Sequence, residues 1–200
     1  MVCTTALAWL LAAPWGAASA QLFNPLTVVG KAVSTAMDVR TRAEVVADTE
    51  IAAGANQRLL DDQEAEWKGV SLLVFAQRVV LAGAVKSEDA KKRVGEVVGR
   101  DRRIRALVNE LVVIRKAGDG GSLVGDKATD TKIDAVLTAA EGIASVNMRW
   151  KTVNGNVVLM GVAQSKEEAG LAVAKIRALD GVRTVRSHLR VVAPKKQPQS

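Results

Sequence analysis

Tyrosine is absent from this 200-residue chain, histidine and cysteine occur once each, and aromatic residues make up only 3% of it. With one histidine and one cysteine, most metal cages, thiol–imidazole pairs and serine triads lack their parts. A single cysteine also makes no disulfide within the chain. What is present is the composition of a folding protein, 48% hydrophobic and 24% charged, which is not that of a disordered segment. The length fits one ordinary domain or two small ones. Lysine and arginine outnumber aspartate and glutamate by 28 to 21, a net charge of +7, and this favours anionic partners.

Residues 1–20 carry no charge, run apolar from Ala6 to Ala13, break at Pro14 and Gly16, and end on Ala18, Ser19 and Ala20. This is the pattern of a secretory signal cleaved before Gln21, although the usual basic start is missing. An uncleaved anchor and a cytosolic core helix are the competing readings. Cys3 precedes the apolar run and follows Val2, so it is not placed as an acylated lipoprotein cysteine. Residues 21–43 form a lead segment in which Val29, Val33 and Ala36 recur at helical spacing, as in a short helix lying on a membrane or a flexible lead. The polar tail, 194–200, contains Lys195 and Lys196 and is expected to be disordered.

The remainder repeats itself. A shift of 78 residues lays Val79-Val80-Leu81-Ala82-Gly83 on Val157-Val158-Leu159-Met160-Gly161, and it holds to the end of the chain. Upstream, Asp48-Thr49-Glu50-Ile51 matches Asp130-Thr131-Lys132-Ile133 at a shift of 82, which implies four extra residues in the first copy. Each copy reads as a helix, a hairpin of two strands, a second helix and a last strand. In the second copy Ile133, Val136, Leu137 and Ala140 have helical spacing, with Asp130 as N-cap. Val146, Met148 and Trp150 alternate with Asn147, Arg149 and Lys151 as in a half-buried strand, and Asn154-Gly155 supplies a tight turn. The first copy has Ala76-Gln77 there, so a looser hairpin is expected. The expected boundaries are 44–115, a linker at 116–127 with four glycines, and 128–193. Units this small are marginal alone, so packing of one on the other is expected, although the linker equally allows a hinge.

The V-x-L-x-G strand ends (Val79, Leu81, Gly83; Val157, Leu159, Gly161), the acidic starts of the second helices (Glu88, Asp89; Glu167, Glu168), and the closing valine-rich strands (Val108 to Val113; Val185 to Val192) resemble the BON domain. A signal followed by two such units is similar to tandem-BON envelope proteins of the DolP type. The resemblance implies an α+β fold of two units, each α-β-β-α-β with two helices on one face of a three-stranded sheet. It implies a non-enzymatic periplasmic protein without cofactor, peripheral at the outer membrane, that associates with anionic phospholipid and supports envelope integrity. A periplasmic protein-interaction adaptor is the alternative. The DolP type carries a membrane-facing aromatic on the opening helix of its second unit, and Lys132 stands at the matching position.

Charge concentrates in the first unit. Arg100, Arg102, Arg103 and Arg105 cluster between its second helix and last strand, after Lys91, Lys92 and Arg93. Either this is a solvated turn whose arginines pair with Asp101 and Glu96, or it faces an anionic surface. In the second case each cation contributes about 1 kcal/mol near an anionic bilayer, enough to assist adsorption and too little to anchor. Trp150 falls in phase with core positions, whereas Trp67 is the better exposed aromatic, though packing suits it too. His188 reads as a solvent-side residue without acidic companions. The carboxylates Asp61, Asp62, Glu64 and Glu66 read as a solvated run, and Gly95 and Gly99 as a packing notch. The glycine spacing does not suit the GXXG loop of KH domains, which argues against RNA.

Overall fold

The computed structural model describes residues 27–28 and 38–193. The signal, Cys3, most of the lead segment and the tail lie outside the described residues. In the first unit a two-residue strand β1 (Thr27–Val28) precedes α1 (Arg42–Asp61), β2 (Val70–Phe75), β3 (Arg78–Val85), α2 (Glu88–Gly99) and a last strand in two pieces, β4 (Ala106–Asn109) and β5 (Val112–Val113). The second unit has α3 (Leu123–Ala139), a 3-10 turn at Ser145–Asn147, β6 (Met148–Val153), β7 (Asn156–Ala163), α4 (Lys166–Arg177) and β8 (Thr184–Val191). The fold is α+β, with sheet orders β1-β2-β3-β4 and β6-β7-β8, antiparallel hairpins and a parallel last strand in each. Thr27 and Val28 pair in parallel with Ser71 and Leu72, while Val29, Val33 and Ala36, on which the expected lead helix rests, lie outside the described residues.

Every helix starts on a hydroxyl cap. Thr41 and Glu44 form a reciprocal capping box on α1, and Ser87, Ser122 and Ser165 accept the N3 amide of α2, α3 and α4, each satisfying a donor that has no helical partner. The cap of α3 is therefore Ser122, while Asp130 lies within the helix. This corrects the cap expected from sequence, and α3 also begins inside the glycine-rich segment 116–127. Ile51, Ala55 and Leu59 of α1 and Val94, Val97 and Val98 of α2 cover one face of the first sheet; Ile133, Leu137, Ala172 and Ile176 do the same in the second unit.

The repeat runs at 78 residues throughout. Asp48 of α1 accepts hydrogen bonds from the Ala76 and Gln77 amides at 2.8 and 2.6 Å, and Asp126 of α3 accepts from Asn154 and Gly155 at 2.9 and 3.1 Å. The equivalent of Asp48 is thus Asp126, not Asp130, and the four-residue insertion is withdrawn. The hairpin of the first unit is also not looser than its counterpart. Phe75 pairs directly with Arg78, as Val153 does with Asn156, with Ala76 and Gln77 held at φ +50° and +61°. The Asp48 carboxylate, binding both amides, offsets the cost of two non-glycine residues in a left-handed turn. The V-x-L-x-G glycines have a separate cause: a Cβ on Gly83 or Gly161 would lie 2.0 Å from the carbonyl oxygen of Gly69 or Asn147.

The two units pack sheet on sheet, leaving helices as the outer layers. Leu73, Phe75, Val80 and Ala82 of the first sheet meet Val158, Met160 and Val162 of the second. All six residues of β2 are buried, the state of a strand covered on both faces. Residues 38–40 seal this seam. Val39 donates its amide to Asn147 Oδ1 at 3.0 Å, and Arg40 binds Asp38 at 2.7 Å and Asp48 at 2.9 Å with all three side chains buried. Arg40 and Arg149 both lie against the Phe75 ring, 4.3 and 5.3 Å from its centroid. Arg149, expected on a solvated face, is only 3% exposed, and its guanidinium donates to the Val146 and Met148 carbonyls. Burial, reinforced by Arg40, lowers its pKa to about 10.

Candidate membrane-facing site

The arginine turn follows α2 and leads into β4, and its four arginines have separate fates. Asp101 is buried beneath the turn and accepts from the Arg103 amide, Nε and Nη2 and from Arg58 Nη2. These bonds, Arg103's foremost, hold its carboxyl far below the usual range, and the pairing raises Arg103 in turn. Arg103 also reaches Glu50 of α1 at 2.6 Å. Arg103 is therefore a structural tie between turn and helix, and its partners are Asp101 and Glu50; Glu96 is instead within 3.8 Å of Lys92. Arg93 is likewise used by Asp62 and Glu64. Arg100, Arg102 and Arg105 are exposed and hold no carboxylate among the described residues. Three arginines, not four, remain for an outside anion.

Lys132 is exposed on α3, in the outer layer opposite to α1 and α2, so the fold does not join it to the arginine turn. It belongs to a different surface. At about 100° per residue, the buried stripe of α3 runs through Asp126, Thr129, Ile133 and Leu137, and the opposite stripe through Val124, Ala128, Thr131 and Ala135. Lys127 and Lys132 flank that outer stripe on its two sides. Leu123 and Val124, in the first turn, are 87% and 82% exposed. Elsewhere the large aliphatics are mostly buried. Sequence reasoning missed this pair by placing it in the linker; the signal was Ser122 followed directly by two aliphatics.

Trp150 lies in the helix-side core of the second unit, 5% exposed, with its indole N–H donating to the Asp130 carbonyl. Trp67 is half-buried against the first core. The acidic run after α1 is paired: Asp62 with Arg93, and Glu66 with the Lys86 amide and ammonium. His188 needs correction. The face it occupies is the seam between units, and its Nε2 lies 2.9 Å from Glu110, which Arg186 also binds at 2.6 Å. These bonds from the second unit hold the Glu110 carboxyl below the usual range although burial works against them.

Among the described residues no group of three or more histidine, cysteine or carboxylate side chains is arranged to hold a metal, and no helix is long and apolar enough to cross a membrane.

Comparison with known proteins agrees with the duplicated architecture. The chain is 31% identical over 129 residues to an uncharacterized protein from the gshII 5′ region of Anaplasma centrale, covering 64% of this chain and 85% of that one. It is 27% identical over 145 residues to osmotically-inducible protein Y of Escherichia coli K12, covering 72% of each. Among solved structures, two of CdsD, a structural protein of the type III secretion system of Chlamydia trachomatis, align at TM-scores of 0.30 and 0.32 with 17% and 15% identity. The alignments cover 74% of this chain and 66% and 65% of those chains. The BON-domain profile matches residues 47–115 and again 125–193, two stretches offset by the same 78 residues that relate Asp48 to Asp126, and the chain belongs to the BON-domain family.

Proposed function

We propose that this protein is a non-catalytic envelope protein of the periplasm that adsorbs to anionic phospholipid through the outer face of α3, with Arg100, Arg102 and Arg105 offering a second, weaker contact on a different surface. The observation that carries this reading is the nearly complete exposure of Leu123 and Val124 in the first turn of α3, with Val124 on the outer stripe that two lysines flank. Burying two aliphatic side chains contributes about 3 kcal/mol or more, and Lys127 and Lys132 add about 1 kcal/mol each near an anionic surface. The sum, about 5 kcal/mol, corresponds to a dissociation constant of roughly 0.2 mM, suited to reversible adsorption. Similarity to an osmotically inducible protein supports a role in envelope integrity under stress.

Flotation with neutral and anionic vesicles at low and moderate salt tests it. Binding is expected to anionic vesicles, weakened by salt and by the Leu123→Asp/Val124→Asp double variant; equal binding to both vesicle types refutes the electrostatic part. The adaptor reading draws on β8, eight residues long and paired only with β7 among the described residues, which suits addition of a partner strand. Loss of partner capture on placing Pro in β8, with vesicle binding intact, would favour it.

A further inference from the structure

Where the two sheets part at their β4 and β8 edges, a groove of about 240 Å³ opens between the units. Val80, Val108 and Met160 give it an apolar floor, and its lining carries Arg78 from the first unit with His188 and Arg190 from the second. Arg40, Arg58, Arg93, Arg103, Arg115 and Arg186 each hold a carboxylate. Arg78 and Arg190 hold none among the described residues, yet the fold brings them from separate units to one cleft. Glu110, the acid that reaches His188, is already shared with Arg186. Two arginines that hold no carboxylate and line one groove with an apolar floor are complementary to an anion with a small organic substituent, and paired guanidinium groups favour phosphate oxygens.

The geometry points to a phosphate-binding cleft between the two BON units, in which Arg78 and Arg190 hold one phosphate group and its organic substituent rests on Val80, Val108 and Met160. The volume lies below the ~300–1,000 Å³ of drug-sized pockets, which selects a group the size of a lipid head or a small phosphomonoester. An occupant contacts both units at once and thereby ties them together. This site is separate from the α3 face.

Titration calorimetry of the full chain with inorganic phosphate and with glycerol 3-phosphate, together with flotation on phosphatidic acid vesicles, tests the cleft and its source of phosphate. Arg78→Gln and Arg190→Gln are each expected to weaken binding about tenfold or more, the effect of losing a charge-assisted contact, while Arg177→Gln, in the last turn of α4, leaves binding of the soluble probes unchanged. Binding of the soluble probes identifies a free phosphate compound as sufficient; binding of the vesicles alone, by protein carrying Leu123→Asp/Val124→Asp so that the α3 face does not contribute, identifies the lipid head, and either supports the cleft if both groove variants lose it. The Leu123→Asp/Val124→Asp variant retains affinity for the soluble probes, which separates this site from the membrane-facing one. Absence of binding to all three probes, or binding unchanged in both groove variants, overturns the proposal.

Discussion

Replacing Asp48 by Ala tests the device that closes the first hairpin. The carboxylate accepts two amides, at 2.8 and 2.6 Å, and a guanidinium N–H of Arg40 at 2.9 Å, with the residue only 5% exposed. Hydrogen bonds to a charged group contribute roughly 1.5–3 kcal/mol each, so losing both amide bonds costs about 4 kcal/mol. Arg40 still has Asp38, which limits the additional loss. Ala76 and Gln77 sit at φ +50° and +61°, a region costing about 1–2 kcal/mol per ordinary residue. Installing the pair used by the second unit, Ala76→Asn with Gln77→Gly, should therefore recover about 2 kcal/mol in the Asp48→Ala background. Urea unfolding monitored by far-UV circular dichroism measures both steps, and hydrogen exchange at the turn amides shows whether protection is lost locally. An Asp48→Ala protein as stable as wild type, or a turn replacement that restores nothing, refutes the reasoning.

Three other outcomes follow from the same geometry. Gly161→Ala places a Cβ 2.0 Å from the Asn147 carbonyl oxygen, and the backbone must move; expected is a loss of about 3 kcal/mol or more, read as a lowered thermal midpoint. Asp101 titrates well below its ordinary 3.8 because of the Arg103 and Arg58 bonds. Its stabilisation is complete above roughly pH 5 and lost as pH falls through 3.8 toward the folded value, so Asp101→Asn should flatten the acid limb of a stability–pH curve. Arg103→Gln should lower stability with little effect on vesicle flotation, and Arg102→Gln the reverse, since only the first is tied to Asp101 and Glu50.

Much of each unit was legible because hairpin turns, helix spacing and the V-x-L-x-G ends are local signals repeated in register. The error in register has a physical origin. Asp130 lies four residues after Asp126, about one helical turn, and so occupies nearly the same face; the local match of Asp-Thr-x-Ile at 48 and 130 therefore imitated the true correspondence. What is repeated is a carboxylate aimed at a hairpin turn. The second face of each sheet was harder to read, because Asn147 and Arg149 suggested solvent and only the unbroken apolar runs Leu72 to Phe75 and Val157 to Met160 argued for cover on both sides. Leu123 and Val124 were concealed by the glycines preceding them. The arginine turn was found from composition alone, but which arginine was already used depends on Glu50, distant in sequence and adjacent in space.

Hydrogen exchange of the full chain with and without anionic vesicles maps the adsorbed surface directly. The account predicts added protection in α3 from about Ser122 to Lys132, with a smaller effect around Arg100–Arg105 and none with neutral vesicles. Protection confined to other surfaces, or exchange unaltered by anionic vesicles while the protein floats with them, would contradict it.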